Sequence, residues 1–587
     1  MLQQLRPLIP YLRRYRRGLA WGGVCAVLSN AIWILFPQVL RVAIDDLNRG
    51  VTRSKILYYA GLLVAVSAVK GVFLYLTRLI VIGISRDIEF DLRNDLFTHL
   101  ERQPAGYFHT HRTGDIMARM TNDLSAVRML LGPAIMYSAN TVLFSVGAVF
   151  FLLRISPWLT LVALAPLPLA SILVQSMGRR IHERFERIQA MFSEISAQAQ
   201  ENFSGARLVR AFAQEEAQIA AFESSNRENI RRGLRLVQLM GMLWPTLEFI
   251  LGLAMAVTLF VGGREVLSHR ISIGDFVAFN AYMMMLTWPI IALGWVVNLV
   301  QRGAASTVRI DELLSAKPSI DDAQANPDIP RDLILKGEIE FRNLSFSYGA
   351  EEHRAEALHS VSLRIPAGGS LAIVGPTGSG KSTLVNLIPR LYDPPPGSVL
   401  IDGLPVADYP LEVLRRNIGF VPQETFLFSE SIRGNIAFGL DSATDDEVLR
   451  AAETAHIRRE FEEFPQGFAT TVGERGITLS GGQKQRTAIA RAVIRNPRIL
   501  ILDDALASVD TYTEERILSE LRQVMRGRTC IFISHRISTV READRIAVLA
   551  GGRIVELGTH DELLARDGYY AELYRRQLLE EELEVTG

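Results

Sequence analysis

The chain has 587 residues, 49% of them hydrophobic, and carries 63 basic against 63 acidic side chains for a formal net charge of zero. That length calls for more than one folded unit, and this apolar content places part of the chain in lipid. A neutral chain has no global field to attract nucleic acid, and its two cysteines, Cys25 and Cys530, match no disulfide framework or metal-ligand spacing.

The first element is a basic cluster, Arg13, Arg14, Arg16 and Arg17, just before the first apolar run. An excess of Arg and Lys marks cytoplasmic flanks, so the N-terminus is expected inside, although Arg49, Arg53 and Lys55 on the next loop pull the other way. No small-residue cleavage site ends that run, so it reads as a retained span. Apolar runs near the roughly 20 residues needed to cross a bilayer recur at about 18–44, 57–84, 130–153, 157–177, 241–262 and 274–300, which makes six spans. The second and fourth continue as polar but helix-patterned sequence, as in Ile84-Ser85-Arg86-Asp87-Ile88-Glu89-Phe90. A helix over 56–103 is about 70 Å long at 1.5 Å per residue, against a hydrocarbon core of roughly 30 Å. These projections are expected to turn at Gly114 and Gly205 and to present short helices to a partner domain. An ionisable group at membrane depth is a pathway candidate by default. Glu248 in the fifth span is therefore either placed for a cationic substrate, or paired with another helix, or set just outside a span whose boundary lies slightly differently. Met283, Met284, Met285 and Trp288 suit an adaptable apolar cavity or a lipid-facing wall.

A transmembrane domain over 1–316 is followed by a Pro/Asp-rich linker over 317–334 and a soluble domain over 335–587. Strand patterns at 338–343, 370–374, 418–421, 499–502, 530–533 and 545–549 alternate with helical segments, which predicts an α/β core with a largely parallel sheet and ligand at the strand C-termini. The strand Ser370-Leu371-Ala372-Ile373-Val374 runs into Gly375-Pro376-Thr377-Gly378-Ser379-Gly380-Lys381-Ser382 and then a helix starting at Thr383. This is a P-loop in its setting: glycines let backbone amides turn onto phosphate oxygens, Lys381 reaches the β/γ-phosphates, and Ser382 ligates Mg²⁺. The chain is expected to bind ATP or GTP, so this domain is cytoplasmic and both termini with it. Ile499-Leu500-Ile501-Leu502-Asp503 is an apolar strand ending in a carboxylate suited to the nucleotide's Mg²⁺, and Asp504 follows where a hydrolytic base would stand. Ser480-Gly481-Gly482-Gln483 opens a helix and makes a second phosphate site, for the same nucleotide or for one bound by another subunit.

With these motifs and His535 in this order, the second half resembles an ABC ATPase domain. The six spans before it make the whole chain, over about residues 10–579, resemble an ABC half-transporter of the type IV exporter fold. The resemblance implies that two chains pair, each ATP lying between one subunit's P-loop and the other's signature motif. It also implies that Tyr348 stacks on adenine, that Gln423 senses Mg²⁺ and water, and that His535 contacts the γ-phosphate. Thr471-Val472-Gly473-Glu474-Arg475-Gly476 resembles the exporter-specific segment that meets the membrane domain.

One departure stands out. The family places a glutamate after the Mg²⁺ aspartate, where this chain has Asp504, one methylene shorter. A slow site on this P-loop is expected, with the intact signature completing a competent site on a partner half-transporter that carries the glutamate. The alternative is a homodimer in which Asp504 works slowly. Export of drugs or hydrophobic compounds, peptide export, lipid flipping and an ATP-gated channel all fit the same fold.

Overall fold

A computed structural model describes residues 3–348, 356–440, 442–473, 479–507, 511–534 and 536–586. The chain divides into two compact units: one holds the residues up to Leu100 together with Gly114–Ala316, the other holds Glu101–Thr113 together with the chain from Lys317 onward.

The first unit is helical: α1 (Arg16–Arg49), α2 (Arg53–Glu101), then after α3 (Ala105–Thr110) the long α4 (Thr113–Ile155), α5 (Pro157–Leu164), α6 (Leu167–Ser204), α7 (Ala206–Ala211), α8 (Glu215–Leu267) and α9 (Ile273–Ser315). Among the described residues five of these, α1, α2, α4, α8 and α9, are long and apolar enough to cross a membrane. The expected fourth span, 157–177, is not one helix: it breaks at Ala165–Pro166 between α5 and α6. Pro166 has no N–H to continue the ladder, and Pro168 follows two residues later.

Helices in lipid gain nothing from burying apolar surface against each other, so close packing has to hold them together. At Gly147 a β-carbon would lie 2.3 Å from the Ile34 side chain, and at Gly132 it would lie 2.6 Å from Ser85 Oγ, so only glycine lets α4 approach α1 and α2 this closely. Tyr282 is fully buried in the cluster around Ile34, Phe144 and Phe279, where its hydroxyl donates to Ile34 O at 2.7 Å and accepts from Gln38 Nε2 at 3.1 Å. At the start of α9 the Ser272–Asp275 capping box is reinforced by Asp45, which accepts from Ser272 Oγ at 2.7 Å and from Gly274 N at 2.8 Å.

Beyond the spans, α4 and α9 are clasped. Asp123 accepts from Arg309 Nε at 2.8 Å and Ser306 Oγ at 2.9 Å, and Arg119 binds Glu312 at 3.1 Å. Burial acts to raise the Asp123 pKa, but Arg309 and Ser306 outweigh it and hold the carboxyl below its ordinary value. A depressed carboxylate stabilises the fold above its unfolded pKa of about 4 and loses that contribution as pH falls through the lower folded value. Asp123→Asn is therefore expected to cost about 1–2 kcal/mol at neutral pH, the exposed Arg309 side keeping it small. Thermal unfolding of the two proteins across pH checks this: their melting temperatures should differ at pH 7 and converge below about pH 4.

The first projection was expected to turn at Gly114. Instead α2 ends at Glu101, and the short helix α3 belongs to the second unit, while Gly114 lies in the first turn of α4. Pro104, extended at ψ 159°, makes the turn that precedes α3. Gly205 does separate α6 from α7. The linker is not loose either, because Asp322 accepts from Leu411 N at 2.8 Å and Asn326 N donates to Asp408 O at 2.7 Å.

The second unit has two sheets. An antiparallel one has the order β2 (Leu358–Ile365), β1 (Ile339–Phe346), β4 (Val399–Ile401), β5 (Leu404–Pro405). The other runs β10 (Arg553–Gly558), β9 (Arg545–Ala550), β3 (Ser370–Val374), β8 (Thr529–Ile533), β7 (Ile499–Asp503), β6 (Ile418–Val421), and is parallel except at the β9–β10 edge. Strands β3, β7 and β8 are apolar along nearly their whole length because helices cover both faces. Their C-terminal ends lie together, with Ile373 paired to Ile533 and Ile533 to Asp503.

Candidate functional site

The P-loop leaves β3 at Gly375 and enters α10 (Lys381–Asn386) through Gly380. Gly378 and Gly380 sit at φ +80° and +98°, and a β-carbon at Gly380 would meet Ala357 O at 2.6 Å, so the loop's shape depends on its glycines. Lys381 is buried at the first position of α10, its ammonium donating to Gly375 O at 2.8 Å and Pro376 O at 2.9 Å. Burial pushes the Lys381 pKa down, while the charges of Asp503 and Asp504 act to raise it.

A cavity of about 310 Å³ lies over this loop, lined by Thr377, Gly378, Ser379, Gly380, Lys381, Ser382, Thr383, Tyr348, Gln423, Asp503 and Asp504. The candidates named from sequence therefore converge from the end of β1, the P-loop, the segment after β6 and the end of β7. Tyr348 donates its hydroxyl to Thr383 Oγ1 at 2.9 Å, which holds the ring beside the loop. Asp503 is buried at the end of β7. Asp504 has φ +49° and donates its backbone N–H to Ile533 O at 2.9 Å. A short polar side chain tolerates that left-handed backbone better than most.

The donor set suits a Mg²⁺-nucleotide. Ser379 Oγ is buried with no hydrogen-bond partner among the described residues. With the P-loop amides and Lys381 it gives a cradle for phosphate oxygens, and Ser382, Gln423 and Asp503 offer the oxygen ligands a hard cation takes. His535 and the segment Glu474–Gly476 lie outside the described residues.

Ser480 caps α11 (Gly481–Val493) in a box with Gln483: Ser480 Oγ accepts from Gln483 N at 3.2 Å and Gln483 Oε1 accepts from Ser480 N at 3.0 Å. Among the described residues that line the cavity, none comes from Ser480–Gln483. Glu248, the membrane-depth candidate, lies exposed on α8.

Sequence reasoning missed Tyr392. Its ring packs edge-on to Tyr348 at 5.0 Å and stacks near His109 of α3 at 6.4 Å, and Gly106 of α3 faces it closely enough that a β-carbon would lie 3.4 Å away. The only sequence signal was a tyrosine six residues after α10. It also placed no weight on the cationic residues of the second span.

Comparison with known proteins identifies the class. Residues 19–290 match the family description "ABC transporter transmembrane region" and residues 358–507 match "ABC transporter". The chain belongs to the ABC transporters, with the exporter-type helical transmembrane domain followed by an α/β ATPase domain whose ATP hydrolysis is coupled to transport. It is 37% identical over 558 residues, 95% of this chain and 94% of the relative, to "Probable multidrug resistance ABC transporter ATP-binding/permease protein YheI" of Bacillus subtilis. It is 39% identical over 527 residues, 90% of this chain and 86% of the relative, to an "ATP-dependent lipid A-core flippase" of Aromatoleum aromaticum. The structure titled "Structure of a bacterial Atm1-family ABC exporter with ATP bound" superimposes with a TM-score of 0.77 at 30% identity, covering 96% of this chain and 98% of that one.

Proposed function

We propose that this chain is one half of an exporter of the cytoplasmic membrane that moves hydrophobic compounds, drugs or peptides outward by alternating access, paired with a second half-transporter that supplies a catalytic glutamate. The observation that carries this is Asp504 lining the phosphate cavity in place of a longer carboxylate, while the signature residues Ser480–Gln483 lie outside that cavity and are left to complete a site on the partner.

In this reading Tyr348 stacks on adenine, Gly375–Ser382 and Thr383 hold the phosphates, and Ser382, Gln423 and Asp503 hold Mg²⁺, which when bound neutralises phosphate charge. Asp504 orients the attacking water, too distantly for fast turnover, and His535 contacts the γ-phosphate. ATP shifts the transporter only through its different affinity for the closed and open states. Tyr392, between Tyr348 and α3, gives adenine occupancy a packed route to the membrane-domain loop, so α3 and α7 rather than the turn expected at Gly114 carry the coupling. The α7 region offers Phe203, Leu208 and Phe212, which are 82%, 64% and 68% exposed, as a docking surface on the partner's ATPase domain. The nucleotide domain and both termini are cytoplasmic.

The similarity to a lipid A-core flippase favours a second reading, a homodimer that flips lipid. Isolation of the tagged chain from its native membrane, followed by mass measurement of the intact complex, separates them. One 65.4 kDa chain with a different second chain is the expected result, and two copies of 65.4 kDa overturn the heterodimer. ATP-driven accumulation of a hydrophobic dye in inside-out vesicles against its gradient is expected of a pump and not of an ATP-gated channel.

A further inference from the structure

Within the membrane unit a second cavity, of about 380 Å³, opens between α1, α2, α4 and α9. Its wall carries two cations, Lys70 and Arg78, and no aspartate or glutamate among the described residues that line it. Neither cation has an ion pair among the described residues; Lys70 Nζ instead lies 4.5 Å above the centre of the Trp33 ring. Lys70 is one of only six lysines in the chain, and it sits in the middle of an apolar span where a bare ammonium is costly. Arg78 follows eight residues later, about 12 Å further along the helix.

The rest of the wall has two characters. Asn30 donates to Asn140 Oδ1 at 2.8 Å, which sets an amide pair beside the cations. The same wall holds Tyr137, Phe144, Met284 and Trp288, aromatic and thioether side chains that mould to an apolar body. Glu248, the residue that would have favoured a cationic substrate, does not line this cavity. Two cations with no ion pair among the described residues, beside an adaptable apolar wall at membrane depth, complement one kind of ligand.

We propose that this cavity binds amphiphiles with an anionic head, a phosphate or similar oxyanion, held by Lys70 and Arg78 while the apolar tail lies against Tyr137, Phe144, Met284 and Trp288. This names the substrate class of the exporter proposed above and rests on that reading for transport, but not for binding.

Binding is measured on the full purified chain in neutral detergent by native mass spectrometry. The probes are dodecyl phosphate, dodecylphosphocholine and dodecyltrimethylammonium, which share a tail and differ in head charge, with inorganic phosphate as competitor. Dodecyl phosphate is expected to bind best. Lys70→Ala with Arg78→Ala should weaken it by about tenfold or more, and Lys70→Glu with Arg78→Glu should turn the preference to the cationic amphiphile. Melting temperatures establish that the variants fold. If the reversal does not fold, Arg78→Gln at its exposed position is expected to weaken dodecyl phosphate alone, leaving the other two unchanged. Equal binding of all three amphiphiles, cationic preference in the wild type, or indifference to these substitutions overturns the proposal. Displacement of dodecyl phosphate by an equal concentration of inorganic phosphate also overturns it, since that describes an anion site with no use for a tail. Selective binding without vesicle transport of any compound leaves this site standing and sinks the export reading. Transport of neutral dyes without selective binding does the reverse.

Discussion

An Asp504→Glu chain is expected to hydrolyse Mg²⁺-ATP about 10²-fold faster than the wild type at its own P-loop. The backbone at 504 is anchored by its N–H to Ile533 O, and Asp503 beside it is buried, so the reach of the carboxylate is set by side-chain length alone. One added methylene moves it by roughly 1 Å, and a misplacement of that size in a positioned catalytic group costs on the order of 10²-fold in rate. The substitution has a cost, because position 504 is left-handed at φ +49°, where glutamate is less at ease than aspartate, and a loss of about 1 kcal/mol in stability is expected. Steady-state turnover of both proteins in lipid nanodiscs, with melting temperatures alongside, checks the pair of effects. Wild-type turnover equal to that of the glutamate variant would sink the slow-site reading and make the homodimer the leading model.

The complex should also respond unequally to lesions in this chain's two motifs. Gly481→Asp is expected to lower ATP turnover of the native complex by about 10²–10³-fold, the size of effect seen when a preorganised donor to developing negative charge is lost. Gly481 opens α11 directly after its Ser480 cap, where the helix N-terminus favours phosphate and a carboxylate would repel it. On the slow-site reading Lys381→Met in the same chain is expected to cost less than about tenfold, because a site turning over roughly 10²-fold slowly would contribute little to the total. The two variants are compared in ATPase assays of the same purified complex. Equal losses from both would show that the two sites share the work.

Much of the ATP site was legible from local order. The strand into Gly375–Ser382, the apolar run into Asp503 and the glycines after Ser480 each need only a few consecutive residues, since a P-loop, a strand end and a helix N-terminus are local structures. The long helices were legible for a similar reason: the pattern over 56–103 anticipates α2, Arg53–Glu101. Helix bounds were harder. Gly114 looked like a turn because glycine permits one, yet Pro104 makes the turn, and the span at 157–177 breaks at Pro166 although its hydropathy is continuous. The strands β2, β4, β5 and β10 were passed over because they are short or half-exposed and exist through pairing with distant partners.

The sequence by itself determined the class of this protein and the chemistry of its nucleotide site, including the short carboxylate at 504, because those properties reside in contiguous motifs. Only the tertiary structure decided which distant residues share a cavity. Tyr392 sits between Tyr348 and α3 through ring packing, and Lys70 and Arg78 share a cavity with aromatic side chains because α1, α2, α4 and α9 each contribute to its wall. A lone lysine in an apolar span reads the same whether it pairs with a carboxylate, reaches for the interface or waits for an anion. That no aspartate or glutamate stands among the described residues lining the cavity is a fact of packing, and it is what gives the cavity its charge.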